Sequence, residues 1–250
     1  MAEFKDLFSR QANIYRNSRP TYPQDLYEFV TGLCSNKTVA WDCATGNGQC
    51  AVALADYFEK VEATDASASQ IENAIAHPKV NYRVATAYSS GLKNASADLI
   101  TVATAAHWFE IDKFYAEADR VLKPGGALAI WSYGGCTVNE QVDEALHKLS
   151  HNILADYWSP EIWKIWRDKY QTLPFPYRLT ESPQFTSKLN WNLQQLINYL
   201  NSWSGVQNYK NANAKNPVDI IEDELANIWG EPDMLKPVYW RLYMKAGIKP

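Results

Sequence analysis

The sequence predicts an α/β protein built on a doubly wound, mostly parallel sheet, and three features lead there. Thr38–Asp65 reads as strand, glycine turn, helix and strand, a crossover that makes its two strands parallel. Segments of strand and helix periodicity alternate through about residue 135. Ala97–Thr104 is mostly apolar, as expected of a strand covered on both faces.

Phe4, Leu7, Phe8, Ala12 and Tyr15 recur at helical spacing over residues 4–17. Pro20 and Pro23 end that helix, and Pro23 suits the first turn of the next, Gln24 to Leu33. The strand Thr38–Asp42 runs into the turn Cys43–Gly48, a helix from about Gln49 to Tyr57, and a strand ending on Asp65. Ser67-x-x-Gln70 has the form of a capping box and starts a helix that stops near Pro78. Val80–Ala85 reads as the third strand and Ala97–Thr104 as the fourth. A helix with Phe114, Tyr115, Ala118, Val121 and Leu122 on one face ends at Lys123-Pro124-Gly125-Gly126, before a fifth strand to Tyr133.

From Val138 the pattern turns helical, with faces marked by Val142, Leu146, Leu149 and Ile153, then by Ile162, Ile165, Trp166 and Tyr170. Phe185–Trp191 alternates as a strand, Leu193–Trp203 and Pro217–Trp229 read as helices, Asn208–Asn216 as a polar loop, and Val238–Met244 as a last strand. Seven of the ten tryptophans lie beyond residue 150, which points to a large aromatic core with a share left for a substrate chamber.

The corner at Thr38–Asp65 carries the chemistry. Gly46 and Gly48 let the backbone bend sharply and a ligand approach it closely. Asp42 ends the first strand, where its charge suits an amine and repels a diphosphate. Asp65, 17 residues after Gly48, is placed to accept from two ribose hydroxyls. A ligand with a ribose and a cationic group fits. The second informative stretch is Ala105-Ala106-His107-Trp108-Phe109, at the carboxyl end of the fourth strand, where ligands sit in open α/β sheets.

Asp42-Cys43-Ala44-Thr45-Gly46-Asn47-Gly48, followed by Asp65 and by Leu122-Lys123-Pro124-Gly125-Gly126, resembles a class I S-adenosylmethionine-dependent methyltransferase, with Ala44 where many members have glycine. Ala-x-His-Trp-Phe and Tyr199-x-x-Ser202-Trp203-Ser204 are similar to segments in relatives of trans-aconitate methyltransferase. The resemblance implies a seven-stranded sheet with an antiparallel last strand and a helical cap inserted between strands five and six. Residues 1–250 would be one domain, with 1–135 as its cofactor half and 136–250 as cap and last two strands. The implied cofactor is S-adenosylmethionine, held by Asp42, Ala44, Gly46, Gly48, Asp65, Ala66 and Thr104, with adenine at Ala87 and Tyr88 and the carboxylate end at Tyr15 and Arg19. Tyr88 stands where the family usually has an acid. His107 and Trp108 would face the acceptor as the catalytic pair.

The implied reaction is in-line displacement of the sulfonium methyl by an oxygen of a small acceptor, with a carboxylate first in line. A carboxylate needs no base; a phenol or alcohol would make His107 the base. Arg167, Arg178 and Arg241 are available to grip an acceptor carboxylate. Two alternatives stand beside this. Gly46-x-Gly48-x-x-Ala51 also satisfies a dinucleotide fingerprint, so an NAD(P)-dependent oxidoreductase is one, although an acid before the loop opposes it. A catalytically silent cofactor-binding subunit is the other.

A net charge of −4 argues against nucleic acid as a partner. Cys34, Cys43, Cys50 and Cys136 form no Cys-x-x-Cys pair, and His147 and His151, four apart with Glu144 nearby, lack a third ligand, so no disulfide framework or metal site is expected. No apolar run reaches membrane length and the first residues carry no secretory core. A cytoplasmic monomer or homodimer acting on a small molecule, without a membrane partner, is the expectation.

Overall fold

The computed structural model describes residues 19–250, the side chains of Ile165 and Trp166 excepted; the expected helix over residues 4–17, with Tyr15, lies outside them. Seven strands make one sheet: β1 (Val39–Cys43), β2 (Lys60–Asp65), β3 (Val80–Val84), β4 (Ala97–Ala103), β5 (Leu122–Tyr133), β6 (Thr186–Trp191) and β7 (Lys236–Ile248). Their order is β3-β2-β1-β4-β5-β7-β6. The first five run parallel, and β7 is antiparallel to both its neighbours. The helices are α1 (Gln24–Gly32), α2 (Gln49–Leu54), α3 (Ala68–Glu72), α4 (Ile111–Val121), α5 (Glu140–His147), α6 (Pro160–Asp168), α7 (Leu193–Asn201), α8 (Ser204–Asn213) and α9 (Asp219–Trp229).

Period-two alternation divides the strands between two cores. Leu99, Ala127, Ala129 and Trp131 face α1 and α2, where Leu26, Val30, Ala51 and Leu54 bury. Ile100, Val102, Leu128 and Ile130 face α4, whose Phe114, Tyr115, Ala118 and Val121 recur at helical spacing. The acid within the apolar β4 run has a structural use. Asp98 accepts from the amides of Thr38 and Val39 at 3.0 and 2.9 Å and from Lys123 Nζ at 2.7 Å, which ties the starts of β1 and β5 to β4. Paired in this way, a buried charge is tolerated.

Several expected boundaries move. Lys123–Gly126 does not separate helix from strand: α4 ends at Val121 and β5 begins at Leu122, with the pairing to β4 shifting between Ala97 and Leu99. Proline and glycine inside a strand go with such an irregularity. The expected polar loop Asn208–Asn216 is mostly helix, since α8 spans Ser204–Asn213. Its polar sequence hides a narrow buried edge. Val206 is buried, and Gly205 admits the Trp158 ring so closely that an added Cβ would lie 2.9 Å from it. Trp203-Ser204-Gly205 therefore opens a helix as well as closing one.

The tryptophans beyond residue 150 are chiefly core. Trp191 meets Trp240 at 4.7 Å, Tyr199 meets Trp240 and Trp203 at 5.5 and 5.7 Å, and Trp203 meets Trp158 at 5.6 Å. This aromatic run joins β6 and β7 to α7 and the cap segment, and each large ring buries area that a helix-rich cap otherwise lacks.

Candidate active site

The turn after β1 is folded by three left-handed residues, Ala44 (φ +56°), Gly46 (φ +57°) and Gly48 (φ +86°). Thr45 N–H donates to Thr64 O at 2.9 Å and Gly48 N–H to Thr45 O at 3.0 Å, so the turn is tied to β2 and to itself. Asp65 completes the corner, accepting from Gly46 N–H through Oδ2 and from Ser67 N–H through Oδ1, both at 2.9 Å. Gly48 has a second reason to lack a side chain. An added Cβ would lie 2.0 Å from the Tyr82 hydroxyl, which itself donates to Ile75 O at 2.7 Å. Ala44 carries its methyl in a conformation that costs roughly 1–2 kcal/mol for an L-residue.

Asp42 is enclosed by the corner instead of standing at its rim. At 1% exposure it accepts from Thr45 Oγ1 at 2.5 Å and from Thr101 Oγ1 at 2.7 Å. Burial pushes its carboxyl above the usual range, and the two hydroxyl bonds work against that push. Its place is that of an anchor between β1, the turn and β4. Ala66 is half-buried between Asp65 and Ser67. Ala87 and Tyr88 lie in the turn closed by the bridge between Thr86 and Ser89. The Tyr88 hydroxyl accepts from Glu110 N–H at 2.8 Å and its ring meets Phe109 edge-on, so this side chain is already committed to the segment after β4.

The neighbouring strand tip supplies the other half. The tips of β2, β1 and β4 stand side by side in the sheet, at about 4.8 Å per step. Thr104 follows β4 with φ +57°, an outlier for a β-branched residue, and its Oγ1 lies 2.9 Å from the Tyr22 hydroxyl. A short 3₁₀ turn, Ala106–Trp108, then presents His107 and Trp108, whose rings lie 4.9 Å apart. Burial lowers the His107 pKa to about 3, so its imidazole is neutral at physiological pH and is a weak base. Arg19 reaches from the other side. Its guanidinium donates to Ser202 O at 3.1 Å and to the Tyr133 hydroxyl at 3.4 Å, and it sits 5.6 Å from the centre of the Tyr199 ring.

Arg167, Arg178 and Arg241 are all exposed, and Arg241 is engaged by Gln184. Arg19 is the described arginine that reaches between sheet and cap. The sequence reading missed Tyr22, Thr45, Thr101 and Tyr170. Tyr22 had a signal in its place within Arg19-Pro20-Thr21-Tyr22-Pro23, whereas Thr101 is marked only by a hydroxyl inside an apolar strand. Among the described residues no group of three or more His, Cys, Asp or Glu side chains could hold a metal ion, and no helix is long and apolar enough to cross a membrane.

The corner suits the sulfonium nucleoside named by the resemblance: three left-handed residues bare the backbone of the turn, and Asp65, partly exposed at the end of β2, is a carboxylate of the kind that pairs with ribose hydroxyls. Comparison with known proteins agrees. A family model described as a methyltransferase domain matches residues 41–130, which span β1 to most of β5. A Dictyostelium discoideum protein assigned as a methyltransferase is 35% identical over 235 residues, covering 92% of this chain and 89% of the relative. A Saccharomyces cerevisiae protein assigned as an S-adenosylmethionine-dependent methyltransferase is 22% identical over 265 aligned positions, covering 90% of each chain. The solved structure of an Anaeromyxobacter dehalogenans protein assigned as a type II methyltransferase superposes with a TM-score of 0.86 at 36% identity, covering 92% of this chain and 97% of that one. These likenesses set aside the dinucleotide alternative, and the chain belongs to the class I S-adenosylmethionine-dependent methyltransferases.

Proposed function

We propose that this methyltransferase alkylates an oxygen of a small acceptor, a carboxylate before a phenol or alcohol. The observation that carries the reading is the juxtaposition of the glycine corner at β1 and β2 with a neutral, half-buried His107 at the tip of the next strand. S-adenosylmethionine, when bound, supplies an electrophilic methyl group on a positively charged sulfur.

The chain's own residues do the rest. Asp65 holds ribose hydroxyls, the backbone of Gly46 and Gly48 lies against the nucleoside, and Ala87 with Tyr88 borders the base. Arg19 takes the carboxylate end, with Tyr15 as a second candidate, and Thr104 and Ala66 line the same channel. Ala44 shapes the turn, and Asp42 holds it while keeping the local potential negative. His107 and Trp108 border the acceptor. An acceptor that arrives as an anion and a cationic sulfur neutralise each other as the methyl moves, so a dry, well-oriented pocket helps and proton abstraction is not required. Orientation supplies most of the rate, with effective molarities on the order of 10⁵ M or more. The weak basicity of His107 favours this class over acceptors that must first lose a proton. A reducing compartment, the cytosol, suits a chain whose four cysteines are buried free thiols.

The test is a methyl-transfer screen over small carboxylates and phenols, run after binding of S-adenosylhomocysteine is established by thermal shift. His107→Ala is expected to cut turnover by about 100-fold or more while changing S-adenosylhomocysteine affinity less than threefold, in keeping with a residue on the acceptor side. Equal losses in turnover and cofactor affinity would remove His107 from that role.

A further inference from the structure

His107 is gripped by a residue 63 positions away in the sequence. The Tyr170 hydroxyl lies 3.0 Å from His107 Nδ1, and Tyr170 is buried at 4% exposure. The chain reaches this point through an unfavourable path. Lys169 and Tyr170, just after α6, adopt φ values of +54° and +63°, a region that side-chain-bearing residues rarely visit singly and seldom in succession. Such strain persists where the surroundings over-determine it. Here α6 packs on the Ala106–Trp108 turn, and the two left-handed residues swing the phenol back onto the ring that the turn presents.

The direction of the hydrogen bond follows from where the phenol proton can go. The hydrogen bond that the structure gives the buried phenol oxygen is the one to His107 Nδ1, and the nearby Ser132 hydroxyl sends its single proton to the Tyr133 carbonyl at 3.3 Å. A buried phenol proton needs an acceptor, and a bare imidazole nitrogen is a better neutral acceptor than a phenol oxygen, so the phenol sends its own proton to Nδ1. Nδ1 is then the bare nitrogen, and Nε2 carries hydrogen. Nε2 makes no hydrogen bond to the described residues.

We propose that Tyr170 is a positioning residue that locks His107 as a neutral Nε2–H donor, so that the acceptor oxygen it holds is one already ionised before binding. This rests on the methyltransferase reading above and narrows it. An anionic oxygen accepts the Nε2–H bond with one lone pair and forms the new O–CH₃ bond with another, while the S–CH₃ electron pair returns to sulfur. No proton is released. A neutral alcohol could accept the same bond but would keep its proton, since a protonated Nε2 offers no base to take it, and an ammonium group has no lone pair to accept with.

The experiment is NMR of the full chain labelled with ¹⁵N-histidine, with and without S-adenosylhomocysteine, in the wild type and in Tyr170→Phe. His107 is assigned among the four histidines by the signal lost in His107→Gln. The expected result is a single Nε2–H pattern in the wild type and a tautomer mixture in Tyr170→Phe, with S-adenosylhomocysteine affinity changed less than about threefold. An Nδ1–H pattern in the wild type, or an unaltered single tautomer in Tyr170→Phe, would overturn the proposal. Should the variant not fold, the wild-type pattern alone decides between the tautomers. Failure of the wild type to bind S-adenosylhomocysteine would instead sink the cofactor reading, whatever the histidine spectrum shows.

Discussion

Ala44 and Gly48 occupy the same left-handed region of backbone space, one with a side chain and one without. Their substitutions are expected to act in opposite directions. Ala44→Gly relieves a conformational cost and is expected to stabilise by about 0.5–1 kcal/mol after the extra freedom of glycine in the unfolded chain is subtracted. Gly48→Ala puts a methyl 2.0 Å from the Tyr82 hydroxyl on a backbone already at φ +86°. Tyr82 cannot yield without losing its bond to Ile75 O. A loss of about 2 kcal/mol or more and of the thermal shift produced by S-adenosylhomocysteine is expected. Thermal denaturation of both variants, with and without that ligand, checks the pair, and a stabilised Gly48→Ala would refute this close approach. Asp42 teaches a related lesson. Its position in the motif was plain, but whether it stood at the rim or inside was decided by hydroxyls from Thr45 and Thr101, one from the turn and one from another strand.

Among elements, α4 shows how a helix fastens a loop. Glu117 accepts from Ser90 N–H at 2.8 Å and Ser90 Oγ at 2.6 Å, while Arg120 donates to it from one turn along. Burial pushes its carboxyl up, but the bonds from Arg120 and Ser90 outweigh it and bring the pKa down from 4.5 to about 2. A depressed carboxylate contributes stability that is present above its unfolded pKa and lost as pH falls through its folded one. Glu117→Gln is therefore expected to melt lower than the wild type at pH 7. That gap is expected to shrink as pH drops from about 4.5 toward about 2. Circular dichroism melts across that range are the check; a gap independent of pH would mean that the contact acts by shape alone. The helices legible beforehand, α1, α4, α7 and α9, carry wide apolar faces. α8 was read as loop because its buried edge is a glycine and a valine, too narrow to set a period against Asn208, Lys210, Asn211 and Asn213.

In the whole molecule, the N-terminal segment, the sheet and the cap meet at Arg19. Its guanidinium bridges Tyr133 on β5 and Ser202 after α7, and Gln49 holds Pro20 O at 3.2 Å on the corner side. A ligand carboxylate at Arg19 would add to this clasp. Arg19→Met is expected to weaken S-adenosylhomocysteine at least tenfold, as loss of a charge-assisted contact does, and titration calorimetry measures it. Unchanged affinity would take Arg19 off the cofactor side. Much of this molecule was determined by local sequence. The alternation of strands and helices, the glycine corner, Asp65 at a strand end and His107 at a strand tip all follow from periodicity and turn chemistry, which act over a few residues. The enclosure of Asp42, the exposure of Arg167, Arg178 and Arg241, the bridge made by Arg19 and the grip of Tyr170 on His107 did not. Those depend on which distant segments share a face, and burial energy summed over the whole core, with two left-handed residues forced by it, settles that only once the chain has closed.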